Sequence, residues 1–476
     1  MTRGERALLL AIVAAGFAIR FAGLGSQSWS PDEGVTVGLL KLSFGDLFTA
    51  VRHSESTPPL YYWLAWVWAK VFGLNEYGLR SLSALAGSLT VPVAYLAGAS
   101  LITRRAGLVV AGLAAFSPLL VWYSQEARSY ALLVLLVTVS FVFFARGRLV
   151  WWAVASALAL GTHYFAAFVV VPEAAWLAWR ERRRAFGPLL VVAAAGLALL
   201  PLAIEQRATG HTAWIGNLPL GQRLKEVPKK FLIGEQGSPG DFGSIAEKLK
   251  FVELLVVAAG AALVFTRADL RERRGAVIAG SVGGAALLLP LLLKAAGLDY
   301  FAAYNLQAIW VPLAVALAAG LGAQRAGWLG AGLAAALCAC FVAIVIEVDA
   351  KPALQRYDFR GVADALGPPA GARAVVVSPQ VGGHPLQAYR SNLVPYPLSG
   401  QAVTEVDLVG MHSQDSSTLD RPARPPAPEF ALAGVVRRDT FTLVRYRAQR
   451  PVRLPALQLY ARTLGETPAA VLLEHR

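Results

Sequence analysis

The sequence predicts an all-α bundle of about eleven transmembrane helices followed by a small C-terminal α/β domain. Of its 476 residues, 56% are hydrophobic and only 16% are charged, which is too apolar for a soluble globular protein. Several apolar runs are long enough to cross a bilayer, which needs about 20 residues. Basic residues gather between alternate runs, and the composition changes after Val348. Together these observations predict a multi-pass membrane protein with one domain outside the bilayer.

The apolar runs define the predicted crossings. They cover 7–24, 81–102, 106–122, 129–145, 149–162, 164–179, 187–204, 251–267, 275–295, 301–323 and 326–346. The segment 149–179 is too long for one comfortable helix and short for two. Because arginines flank both of its ends, it needs an even number of crossings, and we interpret it as a hairpin that turns at Gly161-Thr162-His163.

Clustered arginines predict the orientation of the bundle. They lie at Arg3, Arg6, Arg104, Arg105, Arg146, Arg148, Arg180, Arg182 to Arg184, Arg267, Arg271, Arg273, Arg274 and Arg325. All fall on one side of the predicted bundle, which the positive-inside rule makes the cytoplasm. The first run shows no cleavage site and is predicted to be a retained anchor, with Arg20 reaching the interface. The same rule explains the net charge of +14, and no basic stripe with interleaved aromatics predicts nucleic-acid binding.

Two domains follow from this organisation. Residues 1–349 form the predicted transmembrane domain, with a first outer loop at 25–80 and a second large outer loop at 205–250. Short surface helices are expected in the first loop, and one rich in Trp and Tyr begins at Pro58-Pro59 and lies in the interface. Residues 350–476 form the predicted extracytoplasmic α/β domain, with strands at 373–378 and 441–446 and a helix at 358–366.

Four polar clusters gather on the outer side of this topology. They are Asp32-Glu33, the segment from His53 to Pro59, the segment from Tyr123 to Tyr130, and Thr162-His163-Tyr164. Paired carboxylates at a membrane exit are costly unless they are solvated or used. We therefore expect the chain to build a cavity over Asp32 and Glu33.

These motifs, in this order, resemble the GT-C superfamily of polyprenyl-phosphate-sugar-dependent glycosyltransferases. The resemblance combines Asp-Glu in the first outer loop, Pro-Pro-Leu-Tyr-Tyr at 58–62 and Ser-Gln-Glu-Ala-Arg-Ser-Tyr at 124–130, and it extends over roughly 7–325. Protein O-mannosyltransferases and lipid A aminoarabinose transferases are the most similar members. The resemblance implies a GT-C-like fold, a sugar carried on polyprenyl phosphate, inverting transfer outside the membrane, and Asp32 as the general base.

One departure from the family pattern is expected to matter. Many relatives carry Arg-Asn-Leu or Arg-Tyr-Leu after an aromatic pair near a late crossing. This chain has Tyr304 where that arginine would stand, within Tyr300-Phe301-Ala302-Ala303-Tyr304-Asn305-Leu306. An altered donor or a loss of activity would both fit this change.

The chemistry of glycosyl transfer suggests roles for the clustered residues. A base must take the acceptor proton, and donors or positive charge must meet the departing phosphate. Asp32 and Glu33 are the catalytic candidates. Candidates for binding the donor phosphate or substrate are Arg128, Glu126, His163, Tyr123, His53, Tyr61, Lys225, Lys229, Lys230 and Tyr304. Arg128 leads this group because a guanidinium matches phosphate oxygens bidentately.

Each assignment has a structural alternative. Asp32 and Glu33 would also suit a helix cap. Arg128 would also suit an ion pair with Glu126 or an interfacial anchor. His163 would suit a turn, His53 and Glu55 a solvated loop, and the lysines attraction to anionic headgroups.

The sequence predicts no required cofactor and no dedicated metal cage, and it leaves divalent-metal dependence open. The expected partners are membrane lipids, a polyprenyl-phosphate-linked sugar and a glycan, lipid or protein acceptor. A flippase of lipid-linked sugars and a noncatalytic cell-envelope assembly protein remain alternatives. The flippase alternative would need ionisable residues in mid-membrane.

Overall fold

The computed structural model describes residues 1–235, 244–412, 424–464 and 468–475. Part of the predicted second outer loop, 236–243, therefore lies outside the described residues. Internal contacts divide the chain into two units. We call Met1–Leu24 with Ser43–Glu347 the membrane unit, and Gly25–Leu42 with Val348–Arg476 the sheet unit. The predicted first outer loop is thus divided, since its residues 25–42 group with the C-terminal residues.

Helices dominate the described chain. In the first half they are α1 (Arg3–Phe21), α2 (Pro31–Leu40), α3 (Phe44–Ser54), α4 (Leu60–Phe72), α5 (Glu76–Leu101), α6 (Arg104–Phe116), α7 (Pro118–Ser124), α8 (Tyr130–Ala145), α9 (Leu149–Thr162), α10 (Ala167–Glu181) and α11 (Phe186–Ala208). The remainder are α12 (Leu220–Ile233), α13 (Ile245–Thr266), α14 (Leu270–Ala295), α15 (Trp310–Leu321), α16 (Gly327–Ala350), α17 (Phe359–Leu366), α18 (Gly383–Tyr389) and α19 (Ala456–Tyr460).

Every predicted crossing overlaps a helix of the membrane unit. By length and composition, six helical segments of the described residues are able to span a bilayer, or seven if the bent pair α6 and α7 is one span. The apolar helices α8 and α9 have only 16 and 14 residues. The count of eleven crossings therefore stays a prediction. The predicted break at His163 is confirmed, because α9 ends at Thr162 and His163 is extended.

The bend of 55° between α6 and α7 has a visible cause. Pro118 has no backbone N–H, so it cannot donate to the Ala114 carbonyl as a helix would require. The Arg20 guanidinium replaces that donor: Nη2 lies 2.8 Å from Ala114 O, and Nη1 lies 2.8 Å from Ala115 O. The prediction that Arg20 reaches the interface is wrong, because its side chain is fully buried.

The sheet unit contains a mixed sheet of six strands among its described residues. They are β1 (Arg373–Ser378), β2 (Leu393–Pro395), β3 (Gln401–Met411), β4 (Ala431–Arg437), β5 (Phe441–Leu454) and β6 (Ala470–Glu474). The spatial order is β2-β6-β1-β3-β5-β4. Only the β1–β3 pairing of these is parallel. The predicted strands at 373–378 and 441–446 and the helix at 358–366 are confirmed.

Both faces of this sheet are covered by apolar side chains. Val376 faces a cluster that includes Tyr396 and Phe430. The alternate residues Val375 and Val377 face a second cluster that contains α17 and part of α18. This explains why every residue of β1 is buried.

Candidate active site

The Asp32-Glu33 pair opens α2 in the sheet unit, and its two carboxylates differ in environment. Ser30 is the N-cap; its hydroxyl accepts from Glu33 N at 3.2 Å, and Ser30 N donates to Glu33 Oε2 at 2.9 Å. Glu33 is fully buried, with Arg356 Nε 3.9 Å from its Oε2. Ser30 and Glu33 therefore form a reciprocal capping box, so Glu33 caps the helix, as the structural alternative to a catalytic role predicts.

Asp32 is exposed on the first turn of the same helix. Within the described parts of the chain, its carboxylate has no hydrogen bond or ion pair. A carboxylate in the first turn of a helix is favoured by the helix dipole. Of the two predicted acids, Asp32 is therefore the one whose oxygens are available to a substrate proton.

Close packing inside the sheet unit holds the start of α2 in place. The Ser28 hydroxyl donates to Asp358 Oδ1 at 3.0 Å, and Trp29 N donates to the Tyr389 hydroxyl at 2.9 Å. A Cβ on Gly34 would lie 2.5 Å from Pro385 N, so no larger residue fits there without movement of α2 or α18. The position of Asp32 thus depends on contacts with residues more than 300 positions later in the chain.

Arg128 lies in the membrane unit and forms a bidentate ion pair. Its Nη1 is 2.7 Å from Glu55 Oε1 and its Nη2 is 3.0 Å from Glu55 Oε2. The two side chains are only 9% and 4% exposed. The prediction that Glu55 sits in a solvated loop is wrong. Breaking such a buried pair from one side costs about 3–5 kcal/mol, because the remaining charge is stranded.

Hydroxyl and aromatic groups surround this pair. The Tyr62 hydroxyl lies 3.3 Å from Thr57 Oγ1 and near the Glu55 carboxylate. The predicted site residue Tyr61 contacts Ser83 at 3.4 Å, and Ser83 in turn donates to the Arg128 carbonyl at 3.2 Å.

His163 is buried near Arg128, close enough for the guanidinium charge to act on it. Its Nδ1 accepts from Phe165 N at 3.3 Å, so it also caps a turn. Its ring lies 5.6 Å from that of Tyr130, whose ring lies 4.8 Å from that of Tyr123. The structure thus brings Arg128, His163, Tyr61 and Tyr123 into one neighbourhood.

The lysines of α12 are mostly committed to carboxylates. Lys230 forms an ion pair with Glu235, which also accepts from the Tyr123 hydroxyl at 3.0 Å. Lys229 lies 3.6 Å from Glu247. Lys225 is exposed. Lys230 therefore joins the candidate site through Tyr123, whereas no contact among the described residues links Lys225 to it.

The segment around Tyr304 is held by an aromatic contact and by ion pairs. Tyr304 stacks on Trp214 with ring centroids 6.0 Å apart. Nearby in sequence, Asp299 receives Arg223 Nη1 at 2.7 Å and Lys294 Nζ at 2.6 Å. The hydrogen bonds from Arg223 and Lys294 hold the pKa of Asp299 well below its usual range.

The remaining predicted residues take peripheral places. His53 is exposed in the last turn of α3, and Glu126 is buried, with its carbonyl accepting from Arg128 N at 2.8 Å. Among the residues that the structure describes, no three His, Cys, Asp or Glu side chains gather as metal ligands. Cys338 and Cys340 are free thiols.

The fold can be compared with solved structures. Two structures of ArnT from Cupriavidus metallidurans, one bound to undecaprenyl phosphate and one in the apo state, each align with a TM-score of 0.53. Identity is 15% and 16%, and the alignments cover 94% and 93% of this chain and 98% of each ArnT chain. At this identity the likeness defines the fold, which is an ArnT-like membrane bundle with a C-terminal sheet domain.

Part of the sequence is similar to a known family. Residues 56–204 match the family described as dolichyl-phosphate-mannose-protein mannosyltransferase. An uncharacterized protein of Aquifex aeolicus (strain VF5) is 37% identical over 82 residues, which span 16% of this chain and 16% of that protein. The predicted resemblance to GT-C glycosyltransferases is confirmed. With the apolar helices, these likenesses indicate a multi-pass membrane protein.

The sequence missed two residues of this neighbourhood. Glu55 stands among His53, Ser54 and Ser56, so its sequence surroundings look solvated, although it lies two residues before the Thr57-Pro58-Pro59 motif. Tyr62 belongs to the Pro-Pro-Leu-Tyr-Tyr motif, but the sequence predicts no individual role for it. The position of these two residues in or beside the motif, and not the polarity of their sequence neighbours, would have predicted their place in the site.

Proposed function

We propose that this protein is an integral-membrane glycosyltransferase that moves a sugar from a polyprenyl-phosphate donor to an extracytoplasmic hydroxyl, with inversion. The observation that carries the proposal is the family match over 56–204, which contains Arg128, His163 and Tyr123. The ArnT-like fold supports it, because one of the matched ArnT structures holds undecaprenyl phosphate.

In this mechanism Asp32 accepts the proton of the acceptor hydroxyl. The hydroxyl oxygen then bonds to the anomeric carbon as the bond from that carbon to the phosphate oxygen breaks, and polyprenyl phosphate leaves with the electron pair. Charge on the leaving phosphate grows along this path, so a cation near it stabilises the transition state more than the ground state.

Arg128 is the proposed cation, with His163 as a neutral donor and Tyr123 as a further substrate contact. Glu126 and Tyr61 are proposed to contact the substrate near Arg128. Proposed contacts further along the substrate path are His53, Lys225, Lys229, Lys230 and Tyr304. Eleven crossings with the active site and the sheet unit outside the cell remain the proposed topology. Impermeant labelling of single cysteines at 183 and 400, in a chain without Cys338 and Cys340, tests this orientation: reaction at 400 but not at 183 is expected.

The activity is tested with purified protein and a panel of labelled polyprenyl-phosphate sugars, scoring both transfer and carrier hydrolysis. Asp32→Asn keeps the side-chain shape and removes the base, so turnover should fall roughly 10²–10⁴-fold. Thermal stability should stay near wild type, because Asp32 is exposed. Donor affinity should also stay near wild type, because a carboxylate does not help to hold an anionic phosphate.

The matched control is Asp46→Asn, which alters another first-turn aspartate, at the start of α3. It should leave turnover unchanged. Near-normal turnover in Asp32→Asn, or its loss only in Glu33→Gln, would contradict the assignment of the base.

A further inference from the structure

The Glu55 carboxylate occupies the position on Arg128 that a phosphate would take. Both terminal guanidinium nitrogens point at one pair of oxygens, at 2.7 and 3.0 Å. This parallel arrangement is the one by which arginine binds both carboxylates and phosphates. In a poorly solvated site, two anions cannot share the same guanidinium edge without strong repulsion.

We propose that Glu55 is a specificity-determining residue, which competes with the donor phosphate for Arg128 and leaves the guanidinium when the phosphate binds. This inference rests on the proposed function. Glu55 reserves the arginine for an anion that offers two oxygens and binds more strongly than a carboxylate. A phosphate ester meets this condition, whereas weakly charged or single-oxygen ligands do not.

The surroundings allow the side chain to move while the backbone stays. Gln206 Nε2 donates to the carbonyls of Val51 and Thr57, at 3.1 and 3.0 Å, and so fixes the chain on both sides of Glu55. The Tyr62 hydroxyl lies 3.3 Å from Thr57 Oγ1 and near the Glu55 carboxylate. It is therefore placed to hold the carboxylate after it leaves Arg128.

Two substitutions should shift phosphate affinity in opposite directions. Glu55→Gln keeps the size and removes the competing charge, so undecaprenyl phosphate should bind about tenfold to a hundredfold more tightly. Without ligand, the same variant should have a lower melting temperature than wild type. Its melting temperature should rise more than that of wild type when undecaprenyl phosphate is added. Tyr62→Phe removes the alternative partner of the carboxylate and should weaken binding severalfold.

The experiment measures binding of undecaprenyl phosphate to purified full-length protein by calorimetry, with thermal unfolding in parallel. Glu205→Gln is the matched control, because Glu205 pairs with Arg52 at 2.6 Å in the same unit but is 34% exposed. Its phosphate affinity should equal that of wild type. The double variant Glu55→Gln with Arg128→Gln should regain stability relative to Glu55→Gln and lose the tight binding.

Each outcome decides a different point. Lower stability of Glu55→Gln with unchanged phosphate affinity would make the pair purely structural and overturn the inference, while leaving the proposed function intact. Equal tightening in Glu205→Gln would reveal a general charge effect and also overturn it. Absence of binding to wild type and all variants alike would overturn the donor assignment and the inference together. If Glu55→Gln does not fold, Tyr62→Phe with unweakened binding serves as the contradicting result.

Discussion

Buried arginines are used differently in the two units of this protein. In the membrane unit, the Arg128 fork meets the two oxygens of one carboxylate, that of Glu55. In the sheet unit, Arg373 contacts three buried carboxylates. Its partners are Glu405 at 3.0 Å, Asp407 at 3.3 Å, and Glu474.

The carboxylates of the sheet unit are also shared. Glu405 binds Arg447 at 2.7 Å, Asp407 binds Arg445 at 2.8 Å, and Glu474 binds Arg390. Strand register explains the gathering, because Arg373 stands opposite Glu405 on β3 and opposite Glu474 on β6. No carboxylate can leave such a network without stranding several charges. The pair around Arg128 needs only one side chain to move, and this is the property expected of a binding site.

The largest stability effect should come from the centre of the network. Arg373→Met leaves three buried carboxylates without their common partner, so unfolding should become easier by at least about 3–5 kcal/mol. Thermal unfolding of the full chain and proteolysis of residues 348–476 would measure the loss. An unchanged melting temperature would show that the network is not what holds the sheet.

A smaller loss should follow from removing a peripheral member. Arg445→Leu deletes the bonds to Asp407, but Asp407 keeps Arg373 at 3.3 Å. Because the remaining partner still neutralises the carboxylate, we expect a cost of about 1.5–3 kcal/mol. A loss as large as that of Arg373→Met, measured in the same denaturation assay, would contradict the idea of shared charge.

The smallest expected effect on stability concerns a shared charge in the membrane unit, where Asp299 pairs with both Arg223 and Lys294. These cations lower the pKa of Asp299 in the folded protein below its ordinary 3.8. The ionised form therefore adds stability above about pH 4, and this contribution disappears as the pH falls through the lowered pKa. Asp299→Asn should melt below wild type at pH 7 and at pH 5, with the difference narrowing in stronger acid. A difference that is independent of pH would contradict this account.

Sequence patterns predicted the helices and strands, because these depend mainly on residues close together in the chain. Apolar runs indicated every helix of the predicted bundle, and alternation indicated β1 and β5. Burial of charged side chains was not predictable, because it depends on distant partners. Glu55 and Arg128 are 73 positions apart, and Arg373 and Glu474 are 101 apart. The burial of Arg20 was unpredictable for the same reason, because two of its carbonyl partners, Ala114 and Ala115, lie 94 and 95 positions away.

The contrast between the two units depends on whether Arg128 binds the donor phosphate. The most direct test of this role measures donor affinity and turnover per folded molecule for Arg128→Lys and Arg128→Ala. Loss of the charged fork should reduce both quantities in Arg128→Ala, by about 10- to 150-fold for bonds of this kind. Arg128→Lys keeps the charge and loses the fork, so it should be intermediate. Unchanged affinity and turnover in folded Arg128→Ala would contradict the account and make Arg128 a structural partner of Glu55, as Arg373 is of its carboxylates.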